Sequence, residues 1–407
     1  MSSASKSSAS VFQYVSFLMI AATTLSAMST TILTPALPFM ADFFNVRGHE
    51  IGQKILSFNL LGIGFSGIFY GTLSESWGRR PLFLIGLFLF SICALLSFFV
   101  SSLNELFLFQ ILQGCSIGTA SVLPLAVIRD IYSGKKAVHF ISIMGMMMAL
   151  SPAFSPLIGG LITQYLGWKF IFLGLSSVGF LFFGILYYFL PETHPKELRS
   201  PLSLIKLIQA YGQILPNTRF LRFGVLPWLA FGGLWMYSAT APFFFIKELH
   251  LTPAQYGFYP VLTLGGALVG NIFMNRFLGW FDLKTFLKIG SLLILLGVSV
   301  LLILSVWGCR VPLYYAGAMF FYCIGFGTLW PAALNLAMDC VIRGKGYGAA
   351  LIRSGQILSA SLSILLSGYM YHEGSLLFPS LFILGCSGII IALVWGSHTD
   401  TLMSLRE

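Results

Sequence analysis

Charge is what this chain has least of. Only 9% of its 407 residues are Asp, Glu, Lys or Arg and 57% are hydrophobic, whereas a soluble globular domain carries roughly a quarter charged residues. That deficit is incompatible with a water-covered surface. Local cysteine chemistry is also missing. Cys93, Cys115, Cys309, Cys323, Cys340 and Cys386 are scattered, with no C-x-x-C pair and no histidine at metal-ligand spacing, so they read as small apolar packing residues. There is no Walker-type phosphate loop, which argues against direct ATP use, and no cofactor, nucleotide or metal is signalled. The histidines His49, His139, His194, His250, His372 and His398 are spread over different loops. No nucleophile has a base near it in sequence, so a membrane-embedded transferase has no site unless distant residues converge.

What the chain does have is a succession of apolar runs. A hydrocarbon core of about 30 Å needs about 20 helical residues, and helices satisfy their own backbone hydrogen bonds in lipid. Hydropathy and breaker residues place spans near 12–38, 51–71, 81–101, 105–128, 138–162, 168–190, 220–246, 255–277, 284–307, 311–338, 346–370 and 375–396. The fold class expected is therefore an all-α membrane protein of twelve transmembrane helices. The first run is too long for a signal-peptide core and is expected to stay as a span. The longest polar connection, Pro191 to Arg219, holds four prolines (Pro191, Pro195, Pro201, Pro216) and divides the chain six plus six: a bundle over 1–190, a linker over 191–219 and a second bundle over 220–407.

The formal net charge of +10 would point to nucleic acid in a soluble protein. Here the cations sit mostly in short loops and read as topology signals, so no nucleic-acid partner is expected. Lys6, Arg79, Arg80, Arg129, Lys135, Lys136, the linker cations with Arg222, then Arg276, Lys284, Lys288, Arg343, Lys345 and Arg406 fall on one side. The other side keeps Arg47, Lys54, Lys169, Lys247 and Arg310, which puts both termini in the cytoplasm under the positive-inside rule. The halves echo one another. Ile131-Tyr-Ser-Gly-Lys-Lys-Ala137 resembles Ile342-Arg-Gly-Lys-Gly-Tyr-Gly348, and Pro35-Ala-Leu-Pro38 in the first span has a counterpart at Ala241-Pro242 in the seventh. Repeated bundles suggest a central cavity opened to alternate sides by rocking.

After the second span comes Gly71-Thr-Leu-Ser-Glu75-Ser76-Trp-Gly78-Arg79-Arg80-Pro81, which resembles the G-x-x-x-D-R-x-G-R-R loop signature of the major facilitator superfamily. Further along, Val127-Ile-Arg129-Asp130-Ile-Tyr-Ser-Gly134, Leu150-Ser-Pro152-Ala-Phe-Ser-Pro156-Leu-Ile-Gly159-Gly160, Gly167-Trp168-Lys169, Leu190-Pro-Glu-Thr193, Phe245-Ile-Lys-Glu-Leu-His-Leu-Thr252 and Trp330-Pro-Ala-Ala-Leu-Asn335 resemble the bicyclomycin-resistance (Bcr/CflA) drug exporters over nearly the whole chain. The resemblance implies two six-helix bundles and a proton-driven exporter of drug-like or metabolite substrates in a bacterial inner membrane, acting as a monomer. It also implies a conformational motif in which Glu75 faces the start of the eleventh span and Asp130 pairs with Arg79 or Arg80. The Pro156-x-x-Gly159-Gly160 sequence is of the antiporter type, suited to close helix approach. Packing accounts for these glycines, and for those of the second and eighth spans, almost as well.

Two positions depart from that pattern. Where such exporters commonly carry an acid in the first span and an arginine in the fourth, this chain has Thr31 and Gln110, and no Asp or Glu falls at mid-bilayer. Proton coupling needs a titratable group whose environment changes between conformations. It would fall to Asp130, Glu75, Asp339 or His139 near the cytoplasmic ends, each more often a structural ion-pair member. One cation stands inside a span: Arg353 is roughly 10 Å deep in the eleventh at about 1.5 Å per residue. It reads either as a contact for a substrate anion, which would favour anionic or zwitterionic substrates, or as a side chain snorkelling to the interface near Lys345. By the family's arrangement the cavity contacts expected are Thr31, Thr34, Asn59, Gln110, Gln113, Met144, Met147, Met148, Tyr237, Asn335, Arg353 and Gln356. A metabolite facilitator or importer, and a transport-inactive receptor, stand as the alternatives.

Overall fold

The computed structural model describes residues 3–45, 48–199, 204–341, 345–371 and 374–396. Arg47, Pro201, Arg343, His372, His398 and Arg406 lie outside the described residues. Helices α1 (Ser3–Thr31) and α2 (Leu37–Phe43), joined by a 3-10 turn at Thr34–Ala36, make the first membrane span. Then follow α3 (Gly48–Trp77), α4 (Arg79–Phe99), α5 (Leu103–Ile131), α6 (Gly134–Tyr165), α7 (Lys169–Phe189), a short linker helix α8 (Leu204–Ile214), and α9 (Thr218–Pro242), which runs on into a π-helical turn at Phe243–Glu248. The last five are α10 (Pro253–Phe277), α11 (Leu283–Val306), α12 (Pro312–Asp339), α13 (Lys345–Met370) and α14 (Leu377–Trp395). The described residues thus contain 12 helical stretches long and apolar enough to span a bilayer.

Local chemistry explains where these helices begin and end. Ser102 with Glu105, and Thr252 with Gln255, form reciprocal capping boxes at the starts of α5 and α10, and Asp282 accepts from the Thr285 N–H to start α11. Three boundaries differ from the sequence expectation. Gly71 to Trp77 continues α3 as helix, and the turn into α4 is the single residue Gly78, at φ 101°, a conformation that glycine adopts without strain. The first span does not stop at Pro38. Pro35 and Pro38 sit in the first turns of the 3-10 segment and of α2, where a missing N–H costs nothing, and the helix carries on to Phe43. The linker is not wholly irregular, because α8 interrupts it.

The end of the molecule carrying Gly71–Arg80 is called the motif end below, and the opposite one the far end. Exposed Trp77, Tyr187, Tyr188, Trp280 and Trp395 ring the former, and Phe99, Tyr165, Trp307, Tyr314 and Tyr369 the latter. Two such belts are what amphipathic rings form at the two bilayer interfaces. Helices α1 and α3 to α7 pack on one another, as do α9 to α14, and the two sets meet broadly along α3 with α13 and α6 with α10. On the first seam Ser57 and Ser361 exchange hydroxyl hydrogen bonds with each other's carbonyls at 2.8 and 2.9 Å. On the second, a Cβ at Gly160 would run into the Pro253 carbonyl of α10, while one at the adjacent Gly159 would run into the Ile32 carbonyl of the first span, inside its own set.

That geometry makes a contrast on one helix testable. Gly159→Ala is expected to lower stability by roughly 1–3 kcal/mol through overpacking against backbone. Gly145→Ala, where nothing lies within 4 Å of the added carbon, is expected to leave stability unchanged or raise it by up to about 1 kcal/mol through helix propensity. Thermal unfolding of the two purified variants, followed by size-exclusion chromatography, checks the pair.

Candidate functional site

The far end is closed. The 3-10 turn of the first span lies against α6, α9 and α10, and α2 lies against the π-helical turn of the seventh. Helix irregularities of this kind recur at functional sites, since they free backbone groups and re-aim side chains. Between them Thr31, Thr34, Pro152, Pro156, Tyr237 and Tyr256 line a residual cavity of about 30 Å³, with Ser238, Phe245 and Tyr259 beside them. Thr31 shares a hydrogen bond of 2.5 Å with Ser155 of α6 and also donates to its own helix at Ala27. Thr34 donates to the Thr31 carbonyl at 2.8 Å. The Tyr237 hydroxyl is buried, with no hydrogen-bond partner among the described residues. At the surface of this closure Lys247 pairs with Asp42 at 2.6 Å.

Toward the motif end the inner helix faces become accessible. On α6, Ser142, Gly145 and Ala149 are exposed, whereas Pro152 and Pro156 beyond them line the closed cavity. Helical phase separates this stripe from the outward one at Phe154, Ile158, Leu161 and Tyr165. On α13, Gly346, Ala349 and Arg353 are exposed, and Gln356 one turn on is buried. Asn335 is exposed near the motif end of α12 and donates to the Pro331 carbonyl. Met148 is half-buried, in phase with Ser155 on the α6 face toward the first span, whereas Met147 is 39% exposed in line with the outward stripe. Met144 does not join the cavity. It packs with Ile20, Ile128 and Phe140 inside the first helix set, because its phase turns it toward α1 and α5.

Asn59, Gln110 and Gln113 are likewise placed away from the path. All three are fully buried, in a chain that runs from Thr30 Oγ1 to Asn59 Oδ1 at 2.6 Å, from Asn59 Nδ2 to the Gln110 carbonyl at 3.4 Å and from Gln110 Nε2 to Gln113 Oε1 at 3.1 Å. They tie α1, α3 and α5 together. Three polar side chains in one bundle look like pore residues in sequence, but inward does not distinguish the cavity from the interior of a helix set.

At the motif end the charged residues do converge. Arg79 Nε pairs with Asp130 Oδ2 at 3.2 Å, Arg79 also donates to Ser74, and its backbone N–H donates to Glu192 at 2.9 Å. Glu192 is paired with Arg199 at 3.2 Å, and Thr193 donates to Asp130 at 3.1 Å. Arg80 donates to the Tyr187 carbonyl at 2.7 Å and lies over that ring. The network therefore links α4, α5 and the start of the linker. Glu75 and Arg129 are exposed, and Gly71 faces open space on the side of its absent Cβ. Sequence reasoning missed Ser155, Tyr256, Tyr259, Glu192 and Arg199. A tyrosine in an apolar helix carries no pattern that tells cavity from packing, although Glu192 lay within a stretch already singled out.

Set against known proteins, the chain matches the family model described as Major Facilitator Superfamily over residues 19–353. It is 28% identical over 379 residues to multidrug resistance protein D of Escherichia coli strain K12, covering 90% of this chain and 91% of that one. It is 23% identical over 335 residues to a bicyclomycin resistance protein homolog of Haemophilus influenzae, covering 81% and 79%. Among solved structures, a D-xylose-proton symporter superposes with a TM-score of 0.72 at 16% identity, covering 92% of this chain and 96% of the other.

The Thr31 to Ser155 bond gives a second test. Thr31→Val is expected to cost roughly 1–2 kcal/mol, because it leaves the buried Ser155 hydroxyl unpaired. Adding Ser155→Ala is expected to recover part of that loss, a non-additivity that a double-mutant cycle of detergent unfolding curves reads directly.

Proposed function

The chain belongs to the Major Facilitator Superfamily, and from that premise we propose that it is an exporter of small organic molecules working by proton antiport. It is a multi-pass membrane transporter. In this reading the motif end faces the cytoplasm of a bacterial cell, both termini lie there, and residues 1–190 and 220–407 rock about the seams between α3 and α13 and between α6 and α10. The linker over 191–219 permits that motion, and one chain encloses the whole path, so a monomer suffices. The lipid bilayer is the only other partner assigned, and no catalytic step is.

The observation that carries the reading is the asymmetry of the described ends. The far end is shut by helix-on-helix contact through Gly159, Gly160 and Gly257, while the inner faces of α6 and α13 are accessible from the motif end. That is the geometry of one side of an alternating-access cycle. The drug-resistance names of its relatives support export of organic molecules. Coupling requires a titratable group whose charge partner changes between conformations. We assign it to Asp130, whose partners Arg79 and Thr193 stand on α4 and in the stretch leading to the linker. An uncoupled facilitator is the second reading, favoured by one fact: among the described residues every carboxylate lies in a loop or near a helix end.

Reconstituted liposomes with an imposed pH gradient separate the two. Uphill flux of a bound drug is expected to follow the gradient. In Asp130→Asn it is expected to fall by about tenfold, a coupling free energy of ordinary size, while unforced exchange is kept. Flux indifferent to the gradient in the unmodified protein would leave the facilitator reading in place.

A further inference from the structure

We propose that Arg353 is the anion-recognising group of the transport path, and that the molecules this chain carries bear a carboxylate or a chemically equivalent oxyanion. The inference rests on the transporter reading and deepens it by naming a substrate class.

Helix phase fixes which way Arg353 faces. Leu362, Leu366 and Tyr369 form the exposed apolar stripe of α13 that meets lipid. Leu362 lies about two and a half turns beyond Arg353, hence about 180° around the helix. Arg353 accordingly faces the protein interior. On that inner face Gly346, Ala349 and Arg353 are exposed, and then Gln356, Ile357, Ala360 and Ile364 are buried. The space reachable from the motif end therefore stops, along α13, at this guanidinium.

The side chain does not reach back for the interface. Its Nη1 donates to Gln356 Oε1 at 3.4 Å, one turn deeper into the membrane, whereas snorkelling would carry the charge toward the start of the helix. The contrast with Arg222 is informative. That guanidinium donates through Nε and Nη2 to the Leu393 carbonyl at 3.0 and 2.8 Å. Among the described residues Arg353 has five N–H donors to satisfy and one long bond, to a neutral amide. The carboxylates in the described ion pairs, Asp42, Asp130 and Glu192, are held by other cations at the two ends. A cation inside a span is costly unless it is paired or watered, and this one is kept in place. Trp228 Nε1 donates to the Ile352 carbonyl at 2.8 Å and Ser359 donates to the Trp228 carbonyl at 2.8 Å, pinning the segment around Arg353 to α9. A fixed, accessible guanidinium with donors to spare matches an oxyanion with paired acceptor oxygens. A lipophilic cation entering the same space meets repulsion.

Two sources offer that chemistry, an organic acid in transit and the phosphate of a lipid headgroup. We assign the acid. The test is binding of matched acid and amide pairs (benzoate with benzamide, 1-naphthoate with 1-naphthamide, indole-3-acetate with indole-3-acetamide) to the full chain in phosphatidylcholine nanodiscs, with and without phosphatidylglycerol. At least one acid is expected to bind about tenfold more tightly than its amide, the scale of a hydrogen bond to a charged group. Arg353→Gln should erase that preference, with its thermal unfolding and size-exclusion profile in the nanodisc as the folding control. Arg353→Lys should keep part of it, and phosphatidylglycerol should not compete. A preference that survives in Arg353→Gln, or the lack of any preference across the panel, overturns the proposal. So does loss of acid binding on adding phosphatidylglycerol to the unmodified protein, which would make a headgroup the occupant. Because binding is read without flux, an Arg353-dependent preference in a protein that moves none of the bound acids would overturn the export reading and leave Arg353 as the anion-recognising group.

Discussion

Close approach of backbones at α6 is the contact on which the rest of the structure depends. Lipid tails are as apolar as leucine, so nothing hydrophobic drives one membrane helix onto another, and association relies on packing between small residues. Gly159 lies against the first span and Gly160 against α10, so a single Pro-x-x-Gly-Gly stretch holds a helix of its own set on one side and a helix of the other set on the opposite side. From that contact follow the closed far end, the position of the 3-10 and π-helical turns beside it, and the small size of the cavity they leave. The exposed pair of Asp42 and Lys247 adds little. Surface ion pairs are typically worth about 1 kcal/mol or less, so packing rather than charge keeps this end shut.

Charge instead organises the motif end. There Asp130, Arg79, Glu192 and Arg199 connect α4 and α5 with the start of the linker. The partition has a plain electrostatic cause. Ions near the interface keep part of their hydration, and ions deep in a bundle do not. The interior of the first helix set accordingly uses neutral amides, with Asn59, Gln110 and Gln113 clamping three helices without a net charge to desolvate. Arg353 stands out because it breaks this partition on the face that solutes can reach. On the proposed path the described interior offers a cation and no carboxylate, which is the basis for the proposed selection by charge.

Much of the fold could be read from hydropathy. The twelve spans reflect free energies of transfer and backbone constraints that act residue by residue. The site was less legible. Thr31, Thr34 and Tyr237 line the closed cavity, whereas Met144 and the buried amides pack within the first helix set. The cost of a polar group in lipid turns Thr31 and the buried amides alike away from the bilayer, so it could not separate cavity from helix interior. Gly71 to Trp77 read as loop through its resemblance to the family's loop signature, yet α3 runs on as helix to Trp77 and the turn is confined to Gly78.

The chain by itself determined that it lives in a membrane, how many times it is suited to cross, where its charges gather and that its mid-membrane acid is absent. Each of these is a property of one segment and its solvent. Only the tertiary structure decided which amide faces a cavity and which a neighbouring helix, that Asp130 takes Arg79, and that Arg353 turns inward and not to the interface. Those outcomes depend on how each helix is rotated against its neighbours, and that rotation is fixed by contacts between residues far apart in sequence.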